Sequence, residues 1–493
     1  MPTAETVQFR WRLGQRRGVR RPSLDAVRGF DRAVYVIAAG QLINVFGGGL
    51  VYPFATVHFH LEVGIALSVV GLGLGAKSVA TAGGTAAGGF LSDAVGRKPV
   101  MVASMALSAV ALAAFAFSPT LATAVPAAVV AVTGVSALGV AFVVVCVVSG
   151  FVRGLYTPAS HAMTADLTDA ADRDRGYALL KVANNVGFGA GFVVGGVLYS
   201  LASVAVFVAD GATSAVVALV ILLFVPRVVD GGGTDADGRT DAAHAGDEDG
   251  AADDSDASAD PAPTGAVSAW WRAATRPRVL ALAGLNVGFA VMYAQMQTTV
   301  PVVAKEGLGL TAAQLGTLYV VNPLTIVVLQ LPLVDAVGGW RRTRGLAVSA
   351  CFWAVSMLAA WGADLVSVPA DAGLTAPLVV LGVIAVCGHL FVRTVGEILH
   401  SPLASALMSD LGTAGERGTQ LSVLEVAKRL GIGLGSFAGG LFFDYGLSGV
   451  LWPTLVAVCA LVVVALLALE RSVTPAENGA LGDATEAVAG SDD

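Results

Sequence analysis

The chain has 493 residues, of which 55% are hydrophobic and only 13% charged, so it is too apolar for an ordinary soluble domain. Its formal charge of −7 is uneven, because most acidic side chains fall in residues 230–260 and in the tail after residue 474. The four cysteines all lie in apolar runs without metal-ligand spacing, which predicts small hydrophobic side chains and no metal site.

Apolar runs of about 20 residues, the length of a helix that crosses a bilayer, recur along the chain. The first three predicted spans cover residues 33–57, 64–90 and 99–117, and a fourth ends near Asp166. The other eight cover residues 178–200, 204–225, 279–304, 312–334, 346–361, 376–409, 421–443 and 450–469. Residues 118–166 are too long for one span, and Pro119 and Pro126 indicate an extended loop before the fourth helix.

Basic residues near span ends collect on the cytoplasmic side of a membrane. Arginines and lysines cluster before the first span and after spans two, four, six, eight and ten, whereas the alternate loops hold only Lys305. We therefore expect a multi-pass protein of the cell (plasma) membrane with both termini in the cytoplasm.

Composition divides the chain into five predicted segments. Residues 226–277 are rich in Gly, Asp, Ala and Ser and cannot bury enough apolar surface to fold, so we predict an acidic disordered cytoplasmic linker. It separates a six-helix bundle at 33–225 from a second at 278–469. Residues 1–32 form a cytoplasmic N-terminal segment, and residues 470–493 form an acidic cytoplasmic tail.

The two halves repeat at an offset close to 244 residues. Pro158 corresponds to Pro402, Asp166 to Asp410, and the glycines of span five to those of span eleven. A parallel repeat of two bundles is typical of membrane transporters, in which the solute site lies near mid-membrane between the bundles. The sequence therefore predicts an all-α integral membrane protein with twelve transmembrane helices in two pseudo-symmetric six-helix bundles.

The connection after span two reads GFLSDAVGRKP from Gly89 to Pro99. It resembles the signature between helices two and three of the major facilitator superfamily. The resemblance implies that Asp93 lies against the start of span eleven near Thr419 and that Arg97 pairs with Asp166, closing a cytoplasmic gate. The candidate gating residues are Gly89, Asp93, Gly96, Arg97 and Asp166. The alternative is that Arg97 merely obeys the charge rule for membrane topology.

Charges inside spans are costly and are functional candidates by default. Arg153 and Glu397 each lie 13 residues before the aspartate that ends their span, about 20 Å along a helix. The family resemblance implies that spans four and ten line the cavity, so these two side chains could meet across it. The leading hypothesis is that Glu397 binds a proton or a cationic solute while Arg153 or Arg393 tunes its pKa. The alternative is a static Arg393–Glu397 ion pair.

Further polar side chains within spans are candidates for solute or proton binding. They are His400, Lys77, Asn44 and Asn286. A second set lies near the inner ends of spans five and eleven and is expected to extend to the membrane surface. It comprises Lys181, Glu425, Lys428 and Arg429.

Span five contains the run NVGFGAGFVVGG from Asn185 to Gly196. It resembles the fifth-helix motif of drug and proton antiporters, with Phe192 in place of the usual proline. The glycines predicted to pack against a neighbouring helix are Gly187, Gly191 and Gly195. The segment from Gly396 to Pro402 is similar to the tenth helix of proton-coupled peptide carriers, but span one lacks their E-x-x-E-R signature.

These patterns predict a secondary active transporter that exports amphipathic, drug-like compounds by alternating access, coupled to protons. The alternatives are a proton- or cation-coupled uptake carrier for a sugar, organic acid or other metabolite, and a membrane-embedded solute sensor. The sequence has no phosphate-binding loop or nucleophile elbow, so we expect no enzyme activity and no cofactor. The expected partners are a small-molecule substrate, H⁺ and the lipid bilayer, with no nucleic acid, and the protein is expected to be a monomer.

Overall fold

The structure is a computed structural model, and the residues that it describes fall into eight stretches. They are 30, 32–168, 173–226, 268, 270–272, 274–366, 376–412 and 416–479. Most of the predicted N-terminal segment, most of the predicted linker and the tail after residue 479 lie outside the described residues.

Twelve long helices account for most of the described chain. They are α1 (Arg32–Glu62), α2 (Leu67–Val95), α3 (Arg97–Ala122), α4 (Ala137–Asp166), α5 (Arg173–Leu201), α6 (Ala205–Phe224), α7 (Pro277–Gly307), α8 (Ala312–Ala336), α9 (Arg342–Asp364), α10 (Pro377–Asp410), α11 (Arg417–Asp444) and α12 (Ser448–Glu470). All except α2 and α11 are long and apolar enough to cross a membrane on composition alone. The predicted all-helical membrane fold is confirmed.

The lower hydropathy of α2 and α11 follows from their position between the bundles. α2 is rich in glycine, alanine, serine and threonine, and α11 carries Glu425, Lys428 and Arg429. The two helices pack against each other where the bundles meet. Such helices need small residues for close approach more than they need apolar bulk.

The chain between α3 and α4 contains no further span. α3 runs on to Ala122, and a seven-residue helix, Ala127–Thr133, follows Pro126. At 1.5 Å per residue this helix is about 10 Å long, too short to cross a bilayer. The Ser136 hydroxyl then accepts a hydrogen bond from the Gly139 amide at 3.1 Å and caps the start of α4.

Helix pairing is the same in the two halves of the chain. In the first half α1 packs against α5 and α6, α2 against α4, and α3 against α6. The second half repeats this with α7 against α11 and α12, α8 against α10, and α9 against α12. The bundles meet where α2 packs on α11 and α5 packs on α8.

The glycines of α5 lie against α1. A Cβ atom on Gly187 would lie 2.6 Å from the Leu42 carbonyl oxygen, and one on Gly195 would lie 2.7 Å from that of Leu50. A Cβ atom on Gly191 would lie 2.8 Å from the Cα atom of Gly49. Any larger side chain would push the two backbones apart, so these glycines set the distance between the helices.

One end of the described structure, here called the basic end, carries a cluster of arginines outside the spans. It is marked by Arg97, Arg276, Arg341, Arg342, Arg344 and Arg417. The first residues of the predicted acidic tail fold back onto this end. Buried Asn478 accepts hydrogen bonds from the Arg342 amide through its carbonyl at 3.0 Å and from the Thr343 amide through its side chain at 2.9 Å.

Candidate solute-binding cavity

Two adjoining cavities share one wall; the larger lies between the bundles, and the smaller lies among helices of the second bundle. The larger, of about 540 Å³, is lined by α1, α5, α7, α8 and α10, and the smaller, of about 280 Å³, by α7, α9, α10 and α11. The side chains common to both are Tyr293, Glu397, Ser401 and Ser405. Because Glu397 lies about 20 Å from the basic end of α10 and Ser405 only about 8 Å from it, the cavities run from mid-helix toward the basic end.

Glu397 forms an ion pair with Arg393 one turn earlier on α10. The distance from Arg393 Nη2 to Glu397 Oε2 is 3.3 Å, and Arg393 is fully buried while 27% of the Glu397 side chain is exposed. The guanidinium carbon of Arg393 lies 4.3 Å from the Tyr293 ring centroid and 5.3 Å from that of Trp353. These aromatic faces stabilise the buried cation. The structure thus contains an Arg393–Glu397 ion pair, with its carboxylate facing the cavity.

Other predicted residues line the smaller cavity. His400 packs on Phe289 with ring centroids 4.2 Å apart. Asn286 also lines this cavity, and its side chain donates a hydrogen bond to the Leu424 carbonyl at 2.9 Å, which joins α7 to α11. Asn322, from α8, donates to Thr394 at 2.8 Å and lies 3.5 Å from Glu397 Oε2.

Three of the charged side chains that were expected to extend to the membrane surface line the cavities. Lys181 lines the larger cavity, and Glu425 and Lys428 line the smaller one. All three side chains are exposed, and the cavities that they line run toward the basic end.

Arg153 does not meet Glu397, contrary to the expectation. Its Nη2 atom donates to the Asn44 carbonyl at 2.6 Å and to the Asn44 side chain at 3.0 Å. Its Nη1 atom lies 3.4 Å from both carboxylate oxygens of Asp210, which is 1% exposed. Lys77, with Nζ 5.7 Å from the Phe115 ring centroid, interacts electrostatically with the same pair. Asp210 is therefore the anionic partner of Arg153 inside the first bundle.

The two halves carry equivalent ion pairs at the basic end. Arg97 Nε lies 2.6 Å from Asp166 Oδ2, the predicted partner, and Arg342 pairs with Asp410 at the equivalent place. Asp93 is exposed, and among the described residues no hydrogen bond joins it to Thr419.

The glycines of the same connection have different surroundings. Gly96 adopts a φ of +92° between α2 and α3, a conformation that requires glycine. A Cβ atom on Gly89 would meet no neighbour within 4 Å.

The opposite end of the α2–α11 contact is closed by an aspartate. Asp444, the last residue of α11, accepts hydrogen bonds from the Leu67 and Ser68 amides at the start of α2, both at 2.8 Å. Backbones also touch along this contact: a Cβ atom on Gly75 would lie 2.5 Å from the Gly433 Cα atom. Asp444 therefore caps a helix of the other bundle and holds the bundles together at this end.

We expect Asp444→Ala to loosen this closure. Loss of a helix N-cap costs about 1 kcal/mol. This corresponds to a roughly fivefold increase in the population of the state in which α2 and α11 separate at this end. The measurement is the rate at which a hydrophilic maleimide labels Ser436→Cys, a buried position on the same contact, in a chain without native cysteines. Labelling should accelerate about fivefold in the Asp444→Ala protein. Asp364→Ala, which removes the aspartate that ends α9, should leave the rate unchanged, and equal rates in all three proteins would contradict the proposed closure.

Two of these residues were not singled out from the sequence. Asp210 is the only ionisable residue within span six, so the rule that intramembrane charges are functional candidates could have found it. Asp444 lies at a span end, where an acidic residue is unremarkable, and only the packing of α11 on α2 distinguishes it.

A cavity between two pseudo-symmetric bundles, closed at one end and lined by polar and aromatic side chains, is the architecture of a membrane transporter. Residues 37–392 match the family model described as Major Facilitator Superfamily. The chain belongs to the major facilitator superfamily, and it is a transporter rather than an enzyme.

Curated relatives are similar at low identity. The chain is 24% identical over 413 residues to the multidrug resistance protein MdtH of Aeromonas hydrophila, which covers 84% of this chain and 88% of that protein. It is 28% and 25% identical to the MFS-type transporters YttB and YhjO of Bacillus subtilis, with 36% and 60% of this chain aligned. The chain spans only 40% and 62% of the length of these two relatives.

Solved structures share the fold. The nucleoside transporter NupG superposes with a TM-score of 0.65 at 10% identity, covering 90% of this chain and 100% of that one. A D-xylose–proton symporter superposes with a TM-score of 0.60 at 13% identity, covering 90% and 97%.

Proposed function

We propose that the protein exports amphipathic organic compounds in exchange for protons, with the basic end in the cytoplasm. The main support is the position of Glu397, which lies in the wall common to both cavities and pairs with buried Arg393. A carboxylate in this place is accessible to a proton and to a solute at once.

The proton and the solute are coupled because both compete for the Arg393–Glu397 ion pair. Protonation of Glu397 removes the charge that balances Arg393, and a buried unbalanced charge is costly. A solute that rearranges the pair changes the affinity of Glu397 for its proton, and by linkage the proton changes the affinity for the solute to the same extent. Antiport requires that binding of the proton and binding of the solute disfavour each other.

The lining suits an amphipathic solute. Aromatic rings come from both bundles, with Tyr52 and Phe188 from the first and Phe289 and Tyr293 from the second. Amide side chains stand among them, as at Asn184. Pockets of this kind bind ring systems by apolar contact and orient them through a few polar groups.

Gating completes the proposed cycle. In the state with the cavity open at the basic end, Asp444 holds α2 against α11 at the other end. In the alternate state Asp93, exposed here, would approach the start of α11 near Thr419 while Asp444 releases α2. The near-symmetric placement of the two aspartates at opposite ends of the same helix pair supports rocking of the bundles.

Relatives favour export, since the name of MdtH describes multidrug resistance. The second candidate is proton-coupled uptake of a polar metabolite. It is favoured by structural similarity to a nucleoside transporter and to a D-xylose–proton symporter.

The test is transport by purified protein in liposomes with an imposed pH gradient. The panel holds matched anionic, neutral and cationic amphipathic dyes, a nucleoside and D-xylose. Export by proton exchange predicts that a dye accumulates only in liposomes that are acidic inside, and that an ionophore which collapses the gradient abolishes the accumulation. Accumulation of the nucleoside or xylose in liposomes that are alkaline inside would support uptake instead, and no gradient-driven movement of any compound would refute proton coupling for this panel.

A further inference from the structure

The charged side chains in and beside the cavity walls do not balance. They comprise two carboxylates and four cations: Glu397, Glu425, Arg393, Arg429, Lys181 and Lys428. Each carboxylate already has an arginine partner on its own helix, Glu397 with Arg393 and Glu425 with Arg429, the latter pair at 2.7 Å. Within the described part of the chain, neither lysine forms an ion pair.

The two lysines stand on facing bundles. Lys181 lies on α5 and Lys428 on α11, both are exposed, and each lines one of the two adjoining cavities. Lys428 also approaches the shared wall, with Nζ 5.9 Å from the Tyr293 ring centroid. A solute at the shared wall can therefore meet a positive charge from either side.

Charges placed between transmembrane helices are costly unless they are paired or solvated. Water satisfies the lysines while the cavity is open. When the bundles close around a solute the water is displaced, and only an anionic group on the solute can then balance the two ammonium groups. A cationic solute would add to the excess positive charge.

We infer that the cavity selects amphipathic organic anions, compounds with a ring system and a carboxylate, and that Lys181 and Lys428 are the residues that determine this selection. The ring contacts Phe188, Phe289 and Tyr293, and the carboxylate lies between the lysines. The inference deepens the proposed function and rests on it in one respect: the solute is carried through this cavity.

The test uses binding, which needs no gradient. The probes are N-dansyl-4-aminobutyrate and its carboxamide, which differ only in the charged group, and the measurement is fluorescence anisotropy on purified protein in detergent. A hydrogen bond between charged groups is about twice as strong as one between neutral groups, and the acid should bind at least about tenfold more tightly than the amide. Lys181→Gln and Lys428→Gln should each reduce this preference severalfold, and the double variant should abolish it.

Two controls separate charge selection from damage to the fold. Lys181→Arg and Lys428→Arg keep the positive charge and should keep the preference. Lys305→Gln removes a lysine outside the cavities and should match the wild type. All variants should elute as the wild type does in size exclusion.

Three results would overturn the inference: equal affinity for the acid and the amide, a preference for the acid that survives in the double variant, or no binding of either probe. Failure of the proposed function is distinguishable, because it would leave the charge preference in binding intact while no dye moves against its gradient. The opposite result, gradient-driven transport of neutral or cationic dyes without a preference for the acid, would retain proton coupling and reject anion selection.

Discussion

Replacing Glu397 by glutamine is expected to abolish gradient-driven accumulation while leaving downhill movement of solute largely intact. Glutamine keeps the shape and the hydrogen-bonding capacity of the side chain but cannot take up or release a proton. Arg393 then has no titratable partner in the shared wall, so binding of solute no longer changes the protonation of the site. The uphill rate in liposomes with an imposed pH gradient should fall by at least about tenfold, because one coupling step of 1.4 kcal/mol or more is lost.

Glu306→Gln is the matched control for this experiment. Glu306 is exposed at the end of α7, outside both cavities, and the substitution makes the same change in charge. Its uphill and downhill rates should equal those of the wild type. An uphill rate for Glu397→Gln that equals the wild-type rate across pH would exclude Glu397 as the coupling residue.

The second large effect is expected at Asp210. Its carboxylate is the anionic partner of Arg153 inside the first bundle, and it is 1% exposed. Asp210→Asn leaves Arg153 and Lys77 without a balancing charge. Removal of one partner from a buried ion pair costs about 3–5 kcal/mol. For a bundle of this size the midpoint of thermal unfolding should fall by on the order of 10 °C.

The measurement is the fraction of protein that remains monodisperse in size exclusion after heating in detergent. Asp335→Asn, which removes an exposed aspartate at the end of α8, should leave the midpoint unchanged. The double variant Asp210→Asn with Arg153→Gln should regain part of the loss, because it removes the unbalanced charge together with its partner. A midpoint that is the same for Asp210→Asn and the wild type would show that Arg153 does not depend on this carboxylate.

Residue patterns could predict the depth of the intramembrane charges but not the direction in which their side chains point. Helix depth, counted from Asp166 and Asp410, placed Arg153 and Glu397 at one level of the membrane. It could not tell which way either side chain points, because that depends on the rotation of α4 and α10 in their bundles. The structure turns Arg153 toward Asn44 and Asp210, while Glu397 faces the cavity beside Arg393.

The positions of two lysines in the cavity walls could not be predicted from local rules either. A lysine near a helix end ordinarily extends along the apolar surface to the headgroups, and nothing in the sequence around Lys181 or Lys428 departs from that pattern. In the structure Lys181 lines the larger cavity and Lys428 lines the smaller one. The cap that Asp444 places on α2 is likewise a contact between residues 376 positions apart, beyond the reach of any local pattern.

The twelve helices and the repeat of two bundles could be predicted from residue patterns, because apolar length and residue spacing are local properties on which insertion into lipid depends. The Arg97–Asp166 pair was expected from the resemblance of the segment Gly89 to Pro99 to the family signature, and the structure contains it. Which charges neutralise one another and which face the cavity could be seen only in the folded protein. Those outcomes depend on how each helix is rotated against its neighbours, and in α4 and α10 the close contacts at Gly150 and Gly396 restrict that rotation.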